Sequence, residues 1–103
     1  MLVMKDIIQN NNDVEIVLVG EISIESAGEI FKKVEEFVEK ENVKKIILNL
    51  KDVTFVDSCG LGQIINLLKK TKSLNKEFFL KDVNESLLKI FQITRLDKLI
   101  PFL

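Results

Sequence analysis

A chain of 103 residues, 47% hydrophobic and 30% charged, suits a single domain with its own core, and a formal net charge of -1 provides no basic stripe for nucleic acid and no polybasic patch for a membrane. The absence of histidine removes the commonest general base and a leading metal ligand, so most hydrolase and zinc chemistry is excluded and no cofactor is expected. One cysteine, Cys59, cannot form an internal disulfide, the N-terminus lacks the long apolar segment of a secretory signal, and no apolar run reaches bilayer length; these features point to a cytoplasmic protein without direct membrane insertion.

Leu2 to Ile8 is apolar at both ends and reads as an edge strand, Asn10-Asn11-Asn12-Asp13 suits a hairpin turn, and Val14 to Val19 is the antiparallel return. Gly20-Glu21-Ile22-Ser23 ends that strand. From Ser23 or Ser26 the spacing predicts a helix to Glu41, with Ala27, Ile30, Phe31, Val34 and Val38 on one face and Lys32, Lys33, Glu35, Glu36 and Glu39 on the other. Ser26 and Glu29 have the capping-box spacing, and Asn42 is a stop. Val43 to Leu50 is the near-continuous apolar run of a strand buried on both faces, its tail interrupted only by Asn49. Lys51 to Val56 leads from it into the turn Asp57-Ser58-Cys59-Gly60-Leu61-Gly62. A second helix, from Gly60 to Leu74, carries Leu61, Ile64, Ile65 and Leu68 and closes at Asn75, a residue tolerant of the left-handed conformation. Phe78-Phe79-Leu80 is a short strand, and Asn84 caps a third helix with Leu87, Leu88, Ile90 and Phe91. Thr94 to Lys98 links it to Leu99-Ile100-Pro101-Phe102-Leu103, which Pro101 confines to a sheet edge or to no sheet.

After the hairpin, the alternation of strand and helix implies parallel pairing with right-handed crossovers. The expected fold is a single α/β domain over residues 1–103, with a mixed sheet (antiparallel N-terminal hairpin, then parallel strands) and crossover helices mainly on one face. The other face is left to solvent, loops or a partner.

The turn from Asp57 to Gly62 joins a strand to a helix whose first amides have no intrahelical partners, a place that attracts anions and exposes a hydroxyl. Spacing alone favours Ser58 as the N-cap of that helix. Asp57 invites comparison with the phosphoacceptor of response-regulator receivers, yet the first strand offers only Asp6 where receivers carry a magnesium-holding acidic pair, so Asp57 is expected to orient the turn or touch a partner. Cys59 is either a thiol activated by the helix N-terminus or a small buried residue, and the second is favoured beside Asp57 and without histidine. Gly60 and Gly62 are too few to cradle a triphosphate; they indicate close backbone approach and leave room for another molecule to reach Ser58. Leu61 is an interface anchor if it points outward and core if inward, and its spacing to Ile64, Ile65 and Leu68 favours core.

On Gly20-Glu21-Ile22, on Ile47-Leu48-Asn49-Leu50 followed by Val53 and Phe55-Val56-Asp57-Ser58, on Gly60-Leu61-Gly62 and on Thr94-Arg95-Leu96-Asp97-Lys98-Leu99, the chain resembles a STAS domain over nearly its full length, specifically the stand-alone anti-sigma-factor antagonists of bacteria. That resemblance implies partner switching and no enzymatic activity of the chain itself. The antagonist binds an anti-sigma factor that is also an ATP-dependent serine kinase, the kinase phosphorylates the serine after the aspartate, here Ser58, and a serine phosphatase resets the switch. Glu21, Ile22, Ser23 and Ile24 after the second strand, with Asp57, Ser58, Gly60, Leu61 and Gly62, are the expected partner-binding residues, at the carboxyl ends of strands where open α/β sheets place their sites. Cys59 stands where the family often has a second hydroxyl residue, and Ser23 where an aspartate is common. The rival reading is a STAS-like adaptor subunit of a lipid-transport or transporter-associated complex, with Ser58 only a cap. Acyl transfer by Ser58 or Cys59 lacks a visible base.

Overall fold

In the computed structural model, which describes residues 1–103, β1 (Leu2–Asn10) and β2 (Asp13–Ile22) form an antiparallel hairpin. Its turn is the pair Asn11-Asn12, flanked by the pairing of Asn10 with Asp13, and Asn11 takes a φ of 57°, a left-handed value that asparagine accepts readily. The chain continues as α1 (Ala27–Glu39), β3 (Lys45–Val56), α2 (Ser58–Ser73), β4 (Glu77–Lys81) and α3 (Glu85–Ile93), then a short 3-10 turn at Leu96–Lys98. The sheet order is β1-β2-β3-β4, with β3 parallel to both β2 and β4.

Because sheet order follows chain order, the crossovers through α1 and α2 arrive on one face. Val14, Ile16, Leu18 and Ile22 of β2, Ile46, Leu48 and Leu50 of β3, and Phe78 and Leu80 of β4 point to that face and join Phe31, Val34 and Val38 of α1, Ile64 and Leu67 of α2, and Leu87 and Phe91 of α3 in one core of 24 residues. On the opposite face Glu15, Val17, Val19, Lys45, Ile47, Phe79 and Lys81 are only half-buried. The expectation that β3 is buried on both faces is therefore corrected: no helix covers its second face. Asn49, at 8% exposure on that face, is held by polar partners instead, its Nδ2 donating to Glu15 Oε2 at 3.0 Å and its Oδ1 accepting from Lys51 N at 2.9 Å.

Elsewhere the helix ends are tied to neighbouring elements. Lys76 Nζ donates to the carbonyls of Val38 and Lys40, which α1 leaves without intrahelical partners at its C-terminus. Lys70 of α2 lies 3.3 Å from Glu39 and 3.5 Å from Glu35 of α1, and these carboxylates, Glu39 foremost, raise its pKa above the usual lysine value. Asn84 caps α3 as expected, its Oδ1 accepting from Leu87 N, while its Nδ2 donates to Val53 O and so fastens the helix to β3. Past α3, the terminal segment takes the sheet-edge option: Phe102 bridges to Leu80 in parallel sense.

Three local expectations change. The third strand does not stop at Leu50 but runs to Val56, with register shifts against β2 between Val17 and Val19 and between Gly20 and Glu21. The first helix begins at Ala27 with no side-chain cap, because the Ser26 hydroxyl donates to Glu21 O at 2.6 Å rather than capping in a box with Glu29. It also ends at Glu39, two residues short of Glu41.

Candidate functional site

Where β3 leaves the sheet, Val56 is still buried and Asp57 turns the chain into α2. The cap is Asp57, whose Oδ1 accepts from Gly60 N at 2.7 Å, and α2 starts at Ser58. The expectation that Ser58 is the N-cap is thus corrected by one residue. Its side chain is exposed, in the first turn of the helix, and no hydrogen bond within the chain engages its Oγ. A serine relieved of capping presents a free hydroxyl beside the unpaired amides of a helix N-terminus.

Asp57 reaches the preceding loop as well. Its Oδ2 accepts from Ile24 N at 3.1 Å and its own N–H donates to Ile22 O at 3.1 Å, so the end of β2 and the start of α2 meet on one residue. The Gly60 N–H, then the Ile24 N–H, hold the Asp57 carboxyl below the usual aspartate range. Gly60 is needed for this approach, since a Cβ there would collide with the Ile22 carbonyl oxygen. At Gly62 no atom lies within 4 Å of such a Cβ, so close packing explains the first glycine and not the second.

The residues expected to bind a partner divide by exposure. Ser58 is exposed, Ile24 is 72% exposed, and Glu21 is exposed with its carboxylate 3.7 Å from the N-terminal ammonium. Ile22 and Gly60 are buried, and offer a partner only the backbone shape they set. Ser23 is half-buried, its Oγ 3.0 Å from Ser26 Oγ, and Asp57 and Gly62 are half-buried in the turn. Leu61 is half-buried and packs against the core, the inward option. Cys59 is exposed, not buried, because the α2 residues that face the core are Gly60, Ile64, Leu67 and Leu68. One exposed residue beside the turn was not among the expected partner-binding residues: Phe55, 47% exposed, lies directly opposite Glu21 on β2. Its signal was a large aromatic between Thr54 and Val56, legible only if Lys51–Val56 is read as strand. The cavity of 480 Å³ on the molecule, lined by Val3, Lys5, Val19 and Asp52, opens on the uncovered face of the sheet and includes none of these residues.

A family model described as STAS domain matches residues 4–103. The anti-sigma-B factor antagonist of Bacillus subtilis (strain 168) is 34% identical over 92% of this chain and 85% of its own length. A crystal structure from Thermotoga maritima, of a protein provisionally named an anti-sigma factor antagonist, superposes with a TM-score of 0.86 at 33% identity, covering 94% of this chain and 83% of that one. The unphosphorylated form of the Bacillus antagonist SpoIIAA shares the fold, with a TM-score of 0.73 at 19% identity over all of this chain and 87% of that one.

Proposed function

Because the chain belongs to the STAS domain family, we propose that it is an anti-sigma factor antagonist that binds an anti-sigma factor with serine kinase activity and is switched off by phosphorylation of Ser58. The observation that carries this reading is the free Ser58 hydroxyl, left exposed because Asp57 caps the helix in its place. The 34% identical relative, itself named an anti-sigma-B factor antagonist, supports the class of partner.

In this cycle the unmodified protein engages its partner through Ile24, Ser58 and the backbone around them, and the sigma factor is released to transcription in the cytoplasm. Ser58 Oγ then attacks the γ-phosphorus of ATP bound to the partner; the O–P bond forms as the bond to the β–γ bridging oxygen breaks, and ADP leaves. The hydroxyl proton passes to a base of the kinase. This chain has no histidine to take it, and the Asp57 carboxylate is occupied by two amide donors that lower its basicity. The antagonist supplies the acceptor and the docking surface but no catalysis.

The phosphoryl group adds about -1.5 to -2 charges. Solvent and the α2 dipole accommodate it in the free protein, but at an interface without a matching cation its desolvation opposes binding. A serine phosphatase restores the hydroxyl. Titration calorimetry with the cognate kinase-type anti-sigma factor should give a Kd below about 10 μM, and ATP should place one phosphoryl group on Ser58 and none on the Ser58→Ala variant. Modification at another residue, or binding unaffected by Ser58→Asp, counts against the switch and favours the adaptor reading.

A further inference from the structure

We infer that Asp57 is a positioning residue whose carboxylate latches the segment between β2 and α1 to the N-terminus of α2, so that Ile24 reaches the partner from a fixed backbone. The inference rests on the proposed reading of this surface as the partner-binding site. It deepens that reading by joining two stretches 33 residues apart into one unit.

Hydrogen bonds internal to the segment hold Ser23, Ser26 and Ala27 but do not reach Ile24. Ser26 N and Ala27 N donate to Ser23 O at 3.1 and 2.9 Å, Ser26 Oγ donates to Glu21 O at 2.6 Å, and Ser23 N donates to Ser26 Oγ at 3.3 Å. The Ile24 amide has one partner, Asp57 Oδ2, while the other oxygen of the same carboxylate caps α2. At 72% exposure the Ile24 side chain has little packing of its own to hold it. A β-branched side chain is already stiff at χ1, so once its backbone is fixed little freedom remains to be lost on docking. The latch needs two acceptor oxygens, which aspartate has and asparagine lacks.

That difference supplies the test. Asparagine is as good an N-cap as aspartate, so Asp57→Asn keeps the bond from Gly60 N and the start of α2, but turns a donor toward the Ile24 N–H. In the isolated protein, an amide-proton pH titration by NMR should show Ile24 and Gly60 following one common midpoint below the usual aspartate range, and both inflections vanishing in Asp57→Asn. The other titratable side chains of this region are those of Glu21, engaged with the N-terminal ammonium, Glu25 and Cys59; the Cys59 backbone N–H also lowers the Asp57 carboxyl, but none of these three side chains forms an ion pair or hydrogen bond with it. An Ile24 amide that ignores the Gly60 midpoint overturns the latch.

Binding to the kinase-type anti-sigma factor provides the second arm. Asp57→Asn and Ile24→Ala should each weaken it by about tenfold, and Ile24→Ala should cost less than about threefold in the Asp57→Asn background. Additive losses would mean that Asp57 contacts the partner on its own account, and the inference would fail. If the unaltered protein binds no such partner, the proposed function falls, and the titration alone upholds or overturns the latch.

Discussion

At Gly60 an added Cβ would run into the Ile22 carbonyl oxygen and meet the Ile22 side chain at 2.9 Å, whereas at Gly62 it would meet nothing. The obstacle at Gly60 is backbone at the end of β2, which cannot swing aside as a flexible side chain would. Gly60→Ala should therefore destabilise by about 1–3 kcal/mol, the usual range for forcing extra volume into a packed site. Gly62→Ala should be neutral or stabilise by up to about 1 kcal/mol, because it only replaces a flexible helix residue with the best helix former. Urea midpoints of the two variants check this, and equal effects would show that the start of α2 shifts freely. The sequence placed the turn correctly and marked both glycines, but could not rank them, since the distinction depends on how closely α2 passes Ile22. Capping posed the same difficulty: aspartate and serine are both strong N-caps, so Asp57-Ser58 is ambiguous until the last strand residue is known. Burial of Val56 fixes that register and gives the cap to Asp57.

Between elements, the uncovered face of the sheet is stitched by a polar cluster that runs from β2 through β3 to β4. Glu15, only 15% exposed at its side chain, accepts from Asn49 Nδ2 and pairs with Lys81 at 3.2 Å. The bond from Asn49, then Lys81, outweighs partial burial and lowers the Glu15 carboxyl below its ordinary 4.5. A depressed folded-state pKa contributes stability that is complete above the unfolded value and is lost as pH falls through the folded one. Stability should therefore decline as pH drops below about 4.5, and Glu15→Gln should flatten that decline while costing about 1 kcal/mol at neutral pH, as expected for a lost charge-assisted bond. Denaturant midpoints from pH 6 to about pH 2 read both effects; an unchanged acid slope in Glu15→Gln would assign it to other carboxylates. The hairpin, the three helices and the parallel order were legible because each follows a regular period, such as Ala27, Phe31, Val34 and Val38 along α1. The extension of β3 was not, because the register shifts opposite Val17–Val19 and Gly20–Glu21 break the alternation from Lys51 onward. Asn49 showed as an interruption in an apolar run, but its side-chain partners, Glu15 on β2 and Asp82 just past β4, lie 34 and 33 positions away and leave no local trace.

Across the whole molecule, the sheet has two edges of different kinds. The β4 edge is covered by the terminal segment, where Leu80 and Phe102 bridge and Phe102 meets Phe91 edge-on at 5.8 Å. The β1 edge pairs with no other strand, but carries Lys5 and Asp6 at an irregularity in the pairing with β2, the combination that discourages edge-to-edge association. The Ser58 turn belongs to neither edge: it lies at the carboxyl end of β3, and Ser58 is not part of the 24-residue core. This placement decides what a phosphoryl group can do to the fold. Locally, the Asp57 carboxylate repels it, while the amides and dipole of the 16-residue α2 attract it by about 0.3–1 kcal/mol at an exposed position. With opposed effects of similar size and no core contact at Ser58, the net change in fold stability should stay below about 0.5 kcal/mol, or roughly 4 °C in Tm for a domain of this size. Partner binding has no such compensation, because the interface must desolvate the charge. Ser58→Asp should thus weaken binding to the kinase-type anti-sigma factor, and Ser58→Ala should bind but not be released by ATP, with Tm and amide exchange beyond the turn nearly unchanged in both. If phosphorylation instead lowered Tm by more than about 10 °C or deprotected Ile46 to Leu50 of β3, the switch would be a collapse of the fold and not a change at its surface.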